Sequence, residues 1–357
     1  GQEAAEALQS ARETVAACLG CTPREITFTS GGSEADNQAL ISAARIGERK
    51  GKKHIISTAF EHHAILHTLK KLEKEGFEVE LLPVGPTGTV TAQQVADAIR
   101  PDTCLVTTTY ANNEIGSILP IAEIGAVCRE KGVLFHTDAV QAAGHLHINV
   151  NEQNIDMLSL SGHKFHGPKG TGVLYARQGI PLTNIIEGGA QERGKRAGTE
   201  NVPGIMGLAA ALKDACDHID ENAAKVSALR DQLIAGLSQI PHSALNGDPV
   251  HRLPGNVNFC FEGIEGESLL LLLDQAGICA SSGSACTSGS LDPSHVLLAI
   301  GRPHEVAHGS LRLSLCEWNT QEDVDHILKE VPRIVAYLRS ISPVWKDLAS
   351  GKKQFML

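Results

Sequence analysis

The sequence predicts an α/β protein with a large domain on a mostly parallel sheet and a smaller α+β domain behind it. Three observations carry this. Short apolar runs alternate with amphipathic stretches of about ten to fifteen residues through the first half, the pattern of βαβ units. Glycine-rich or polar turns follow several of the runs directly, as at Ser30-Gly31-Gly32-Ser33. From about Val202 the alternation stops, and a long helical stretch gives way to separate strands and helices. The expected division is 1–206 and 207–357, with no internal repeat and no low-complexity linker.

Taken in order, 3–18 reads as an Ala-rich helix and 25–29 (EITFT) as a strand. A helix follows from about Glu34, then a strand at 54–58, a helix through Lys74 and a strand at 78–83. Next come a helix at 91–100 closed by Pro101, a strand at 104–110, a helix at 121–131 and strands at 133–137, 157–160 and 172–176. The second domain reads as an interrupted helix to Leu237, a strand at 257–261 and a helix at 267–276. A Ser/Gly-rich loop at 281–290, a strand near 310–315 and a helix at 321–338 complete it. The last seven residues, 351–357, read as a frayed tail.

Composition excludes several classes. A formal charge of −10 with only 4% aromatic residues argues against a nucleic-acid binder, which needs a basic face or a stacking platform. The longest apolar stretch, 269–273, is far short of the ~20 residues of a membrane span. The chain opens at Gly1-Gln2-Glu3-Ala4 on helical sequence with no leader pattern, so a soluble, cytoplasmic protein is expected. Nine cysteines, odd in number and irregular in spacing, are no disulfide framework. The single CxxC, Cys18 to Cys21, has no second pair for zinc and reads as structural.

In a parallel sheet, ligands bind beyond the carboxyl ends of the strands, so the residues there carry the functional reading. Gly32 and Ser33 follow a strand and open a helix, where free N–H groups suit a phosphate; a plain N-cap turn reads equally well. Asp138, in HTDAVQ (136–141), ends an apolar strand and suits a protonated ring nitrogen or an N-cap. Lys164, in SGHKFHGPKG (161–170), follows another strand between Ser161 and His163, either of which suits a phosphate oxygen. A lysine paired with such an aspartate is the arrangement expected for pyridoxal phosphate. Lys169 is the rival, in a Gly/Pro turn that suits a solvated lysine. Cys286, among small polar residues at 280–290, suits an exposed nucleophile, although a lone loop cysteine is commonly incidental. Arg312, inside SLRLSL (310–315), calls for an anionic partner, either a substrate carboxylate or a structural carboxylate.

Together these segments resemble the cysteine desulfurases, in the aminotransferase class V branch of the fold-type I pyridoxal-phosphate enzymes. The resemblance runs nearly the whole chain. It rests on TSGGSEADN (29–37), EHHAI (61–65), NNEIG (112–116), HTDAVQ, SGHKFHGPKG, RAGTEN (196–201), SSGSACTSGSLDPSHVL (281–297) and SLRLSL, in the family's order. The long cysteine loop is similar to that of the group I subtype, which supplies iron–sulfur clusters and related pathways.

The resemblance implies a set of roles. Lys164 carries pyridoxal 5'-phosphate, Asp138 pairs with its ring nitrogen, Gln141 bonds its ring hydroxyl oxygen, and His62 stacks on the ring and moves protons. Gly32, Ser33, Ser161 and His163 hold the phosphate, and Thr199 reaches the phosphate of a neighbouring subunit in a homodimer. Asn113 and Arg312 bind the carboxylate of L-cysteine. Cys286 attacks its sulfur, which leaves alanine and a persulfide bound for an acceptor or iron–sulfur scaffold protein. No resident metal is implied, only a transient contact of Cys286 with a cluster as cargo. The family's usual opening strand and Asn-Ala-Thr-Thr segment would lie upstream of Gly1. Cys316 stands where the family commonly has glycine and reads as a small buried residue. Two other readings remain: a selenocysteine lyase or other class V enzyme, and a catalytically silent homologue that binds partners.

Overall fold

The structure is a computed structural model and describes residues 1–283 and 292–357. The chain forms two compact units, one of residues 1–83, 90–111 and 119–219, the other of residues 84–89, 112–118 and 220–357.

In the first unit, β1 (Ile26–Thr29), β2 (His54–Thr58), β3 (Glu78–Leu82), β4 (Thr103–Thr109), β5 (Leu134–Asp138), β6 (Met157–Ser161) and β7 (Gly172–Ala176) form one sheet in the order β1-β7-β6-β5-β4-β2-β3. Pairing is parallel from β6 through β5, β4 and β2 to β3, and β7 runs antiparallel between β6 and β1. The mostly parallel sheet is therefore as expected, with one reversed strand. All residues of β2, β4, β6 and β7 are buried, which explains why they read as unbroken runs rather than as alternation.

The helices of this unit are α1 (Gln2–Leu19), α2 (Gly32–Arg49), α3 (His63–Lys74), α4 (Ala92–Ala98), α5 (Ile121–Glu130) and α6 (Val202–Asp217). Helix α2 begins two residues earlier than expected, so that Gly32 and Ser33 are its first residues. Its Ala35, Ala39, Ala43 and Ala44 pack against Leu105, Met157 and Leu174 of the sheet. Small side chains let the helix lie close to the strands, so its start is held firmly over their carboxyl ends. Cys18 interacts with Cys216 of α6, and burial pushes the Cys21 thiol up to about 12.

The second unit holds α7 (Ile219–Leu237, entered from the first unit), β8 (Ser243–Leu245), β9 (Asn256–Phe261), α8 (Gly266–Gln275), α9 (His295–Ala299), α10 (His304–Ala307), β10 (Ser310–Ser314), α11 (Gln321–Ile341) and α12 (Pro343–Ala349). Its antiparallel sheet runs β10-β9-β8. Val257, Phe259 and Phe261 alternate along β9 and meet Leu311, Leu313, Leu269 and Val331 in the core. The opposite face of β9 carries Asn256 and Asn258, whose side-chain amides donate to the Glu114 carbonyl at 2.9 and 2.8 Å. The segment 112–118 is thereby fixed to the sheet.

Two expectations need correction. The tail is anchored: Glu262 accepts from the Met356 and Leu357 N–H groups at 2.8 and 3.1 Å, and Phe355 stacks on His242 with centroids 3.5 Å apart. An acid 94 residues upstream closes this contact, so a reading of the local sequence misses it. Cys316 is half-buried rather than buried, because β10 ends at Ser314 and the chain has left the sheet. Among the described residues no helix is long and apolar enough to cross a membrane.

Candidate active site

In the first unit the site grows from the carboxyl ends of β4, β5 and β6. Register places Thr109, Asp138 and Ser159 in one row across the three strands, with Ser161 two residues further on. Asp138 is the last residue of its strand, 6% exposed, and its Oδ1 accepts the Val140 N–H at 3.0 Å. Burial pushes its carboxyl up; the Val140 bond, a hydrogen bond with Asp36 and the charge of Lys164 pull it back.

Lys164 stands on a single 3₁₀ turn, Gly162–Phe165, directly after β6. The turn is closed below by the buried Phe165 and by Gly162 and Gly167, with the Gly167 N–H on the Gly162 carbonyl at 2.9 Å. A rigid base thus carries two exposed side chains, His163 and Lys164. Partial burial and the charges of Lys164 and Lys169 push His163 down, which favours its neutral form.

The glycine turn after β1 lies against this edge. A Cβ on Gly32 would meet Val140 Cγ2 at 2.6 Å, and one on Gly31 would lie 3.8 Å from Ser161 Oγ. Only glycine lets the start of α2 approach the β5 and β6 ends so closely, and the first N–H groups of a long helix have no partners within it. The N–H of Ser30 goes instead to Glu34, whose carboxylate is held by Arg196 at 2.8 Å. The first N–H groups of α2, with Ser33, Ser161 and His163, are donors that could serve an anion near a lysine and a buried aspartate. That donor set fits a phosphorylated pyridine aldehyde, which needs a phosphate site, an amine and a partner for a protonated ring nitrogen.

His62 is the N-cap of α3, and its Nδ1 accepts the Ala64 N–H at 3.1 Å. The neutral ring therefore carries its proton on Nε2. Gln141 sits half-buried in the turn after Asp138, and Thr199 is exposed just ahead of α6. The segment before Thr199 is pinned by Glu192, buried in left-handed backbone at φ 49°. It accepts from Arg12 at 2.6 and 2.8 Å and from the Phe28 N–H at 3.0 Å.

In the second unit, Arg312 Nη1 donates to the Asn113 carbonyl at 3.2 Å, so the two residues expected to bind a carboxylate lie together. The Arg312 main chain exchanges hydrogen bonds with Ser281 at 2.5 and 3.1 Å, and Ser310 Oγ donates to the Ser282 carbonyl. Ser294 donates to Glu114, next to Asn113, and a Cβ on Gly283 would be 3.6 Å from Ser294 Cβ. Cys286 lies outside the described residues. The residues on either side of that stretch, Ser281–Gly283 and Ser294, converge beside Asn113 and Arg312.

Three buried groups escaped the sequence reading. Asp36 of α2 is 1% exposed and hydrogen-bonds with Asp138 and Ser159. Glu61, fully buried, accepts from Thr58 at 2.5 Å and from the Thr109 N–H at 3.0 Å, and burial pushes its carboxyl up to about 8. His136 bonds Thr107 and Ser159 through its two ring nitrogens at 2.8 and 2.9 Å, and burial pushes it down to about 3. Asp36 stood inside a quoted segment, TSGGSEADN, but nothing in the spacing marks it as facing the sheet.

Residues 1–327 match the aminotransferase class-V family. A cysteine desulfurase IscS of Clostridium botulinum (strain Hall) is 54% identical over 352 residues, covering 98% of this chain and 88% of that protein. A cysteine desulfurase IscS of Methanosarcina thermophila is 55% identical over 344 residues, covering 96% and 85%. A solved NifS-like protein superposes with a TM-score of 0.88 at 38% identity, over 95% of this chain and 90% of that one. The chain therefore belongs to the aminotransferase class-V family, and its fold is that of the NifS-like members. Within the family its place is among the cysteine desulfurases.

Proposed function

We propose that this protein is a pyridoxal-phosphate-dependent cysteine desulfurase that passes the sulfur of L-cysteine to Cys286 as a persulfide, for delivery to an acceptor or iron–sulfur scaffold protein. The observation that carries the cofactor reading is the placement of Lys164 on a rigid turn at the same sheet edge as the buried Asp138 and the glycine turn. When bound, the cofactor supplies an electron sink for the carbon that loses its proton.

The residues have distinct tasks in this reading. Lys164 would hold the cofactor, and its free amine would be the base that takes the α-proton. Asp138 accepts a hydrogen bond from the protonated ring nitrogen, and Gln141 donates to the ring hydroxyl oxygen. His62 stacks on the ring and donates through Nε2. Gly32, Ser33, Ser161 and His163 bind the phosphate, with Thr199 reaching that of a second subunit. Arg312 presents its planar fork to the substrate carboxylate beside Asn113. The Cys286 thiolate attacks the substrate sulfur; the carbon–sulfur bond breaks, and alanine leaves.

The test supplies the purified chain with pyridoxal phosphate, cysteine and an excess of dithiothreitol, which reduces the persulfide and releases its outer sulfur as sulfide, and assays alanine and released sulfide together. Equal amounts of both are expected, with a visible cofactor band that Lys164→Ala abolishes. Cys286→Ala is expected to lose cysteine turnover and keep selenocysteine turnover. A chain without the visible band, or a Cys286→Ala variant with undiminished cysteine turnover, overturns the reading.

A further inference from the structure

Two carboxyls lie side by side beneath the strand ends, and only one of them faces a ligand in the proposed function. Asp36 and Asp138 are 1% and 6% exposed and hydrogen-bonded to each other. A hydrogen bond between two carboxyls requires a proton on one of them, because ionised carboxylates only accept. Two neighbouring buried like charges are not both kept.

The surroundings decide where the proton sits. Asp138 has the N–H of Val140 at 3.0 Å and feels the charge of Lys164, both of which favour its ionised form. Asp36 has less support: a hydrogen bond from the Ser159 hydroxyl, and no main-chain N–H or cation that favours its ionised form. It lies beyond the first residues of α2, where the field of the helix start has decayed. Its Oδ1 makes no hydrogen bond among the described residues and lies 3.6 Å from His136 Nε2. That ring offers no positive charge, since burial keeps it neutral and both nitrogens are engaged by hydroxyls. The remaining acid nearby, Glu61, adds only repulsion.

We propose that Asp36 is a positioning residue: its carboxyl keeps the single proton of the buried pair and donates it to Asp138, which fixes Asp138 as the ionised acceptor at the strand ends. Asp36 acts through Asp138 and touches neither cofactor nor substrate. The proposal rests on the cofactor reading for its consequence, but not for the location of the proton.

The test therefore has two arms. Infrared difference spectra of the full chain without cofactor compare wild type with Asp36→Asn at neutral pH. Loss of a protonated-carboxyl C=O band is expected, and an unchanged band overturns the proposal. In the second arm, pyridoxal phosphate is titrated into Asp36→Asn and Asp36→Ala and followed by the visible band. The amide keeps a neutral donor, so Asp36→Asn should bind within about threefold of wild type. Asp36→Ala should bind about ten- to hundredfold more weakly, the worth of a hydrogen bond to a charged group, and shift the pH at which the band changes. Equal losses in both variants overturn the proposal, because they require a charged or specifically carboxylic Asp36. If Asp36→Ala does not fold, the infrared arm with the isosteric amide still decides. If wild type itself gains no visible band, the proposed function fails while the infrared result stands.

Discussion

Gly172→Ala tests whether the turn after β1 holds the phosphate. Gly172 is the first residue of β7, where register pairs it with Thr29 on one side and with Ser161 on the other. It therefore lies directly under the glycine turn. An added Cβ would stand 2.6 Å from both Cα and C of Gly31 and 2.8 Å from its carbonyl oxygen. Those are backbone atoms, so no rotamer relieves the clash. Ordinary contact begins at 3.4 Å, and the turn must retreat by about 0.8 Å to reach it. Overpacking of this kind costs about 1–3 kcal/mol of stability. The same shift moves the N–H groups of Gly32 and Ser33 away from any anion they hold. A displacement near 1 Å is worth up to ~100-fold where geometry matters.

The assay separates the two effects. Thermal unfolding without cofactor reads the strain, and titration with pyridoxal phosphate reads the affinity. Gly170→Ala is the control: it lies near the same turn in left-handed backbone at φ 77°, but its Cβ would meet nothing within 4 Å. The control should lose stability of about 1 kcal/mol and keep its affinity. Gly172→Ala should lose both, with cofactor binding weakened by at least about tenfold. A Gly172→Ala protein that is destabilised yet binds the cofactor like wild type refutes the assignment of the phosphate to this turn.

Glu61→Gln should change the pH dependence of stability. The folded pKa of about 8 lies above the ordinary carboxylate value, so the native state keeps a proton that the unfolded chain releases. That contribution is full below the unfolded pKa and declines as pH rises toward 8; relative to wild type, the amide should gain stability between pH 5 and 8.5 in urea unfolding, and a parallel pair of curves contradicts the assignment. Removing one partner of the buried Arg12–Glu192 pair should cost about 3–5 kcal/mol, whereas Arg12→Leu with Glu192→Leu should cost less than the single changes summed. Both tryptophans, Trp318 and Trp345, lie in the second unit, so circular dichroism rather than fluorescence should follow that unfolding. Deleting residues 355–357 should lower the second unit's midpoint, since it unstacks Phe355 from His242 and strips Glu262 of two N–H donors; an unchanged fluorescence midpoint would return the tail to a frayed end.

What the sequence made legible follows from where the information is local. The strand ends carrying Asp138 and Lys164 were readable because a buried parallel strand is an uninterrupted apolar run and its ligand end is marked by the first polar residues after it. The start of α2 was placed two residues late, because Ser30-Gly31-Gly32-Ser33 looks like a break and only packing on Val140 and Gly172 shows that Gly32 is helical. Short elements such as β8 and α10 carry too few residues for a period to emerge. Asp36 and Glu61 were invisible for a different reason. An acid on a helix or after a strand is solvated by default, and its burial depends on partners from other strands.

The buried acids also constrain how the site accepts a cofactor. Asp36, Glu61 and Asp138 are fully enclosed, and the one histidine enclosed with them is neutral. Three carboxylates without a buried cation would be strongly repelled, so Asp36 and Glu61 are expected to keep their protons and Asp138 to carry the one charge. A protonated ring nitrogen brought to Asp138 would compensate that charge and leave the proton of the pair in place. Val140 holds Asp138 from the main chain, so Asp138 does not have to reorient to receive the ring. The proton count of the acid pair should then be the same with and without the cofactor. Binding should therefore exchange the same number of protons with buffer in wild type and in Asp36→Asn, because the amide donates where the protonated acid does. Calorimetric titration in two buffers of different ionisation enthalpy measures that exchange. A different count in Asp36→Asn would mean that the pair changes its protonation when the cofactor binds, and that the cofactor rather than the neighbouring acid sets the charge of Asp138.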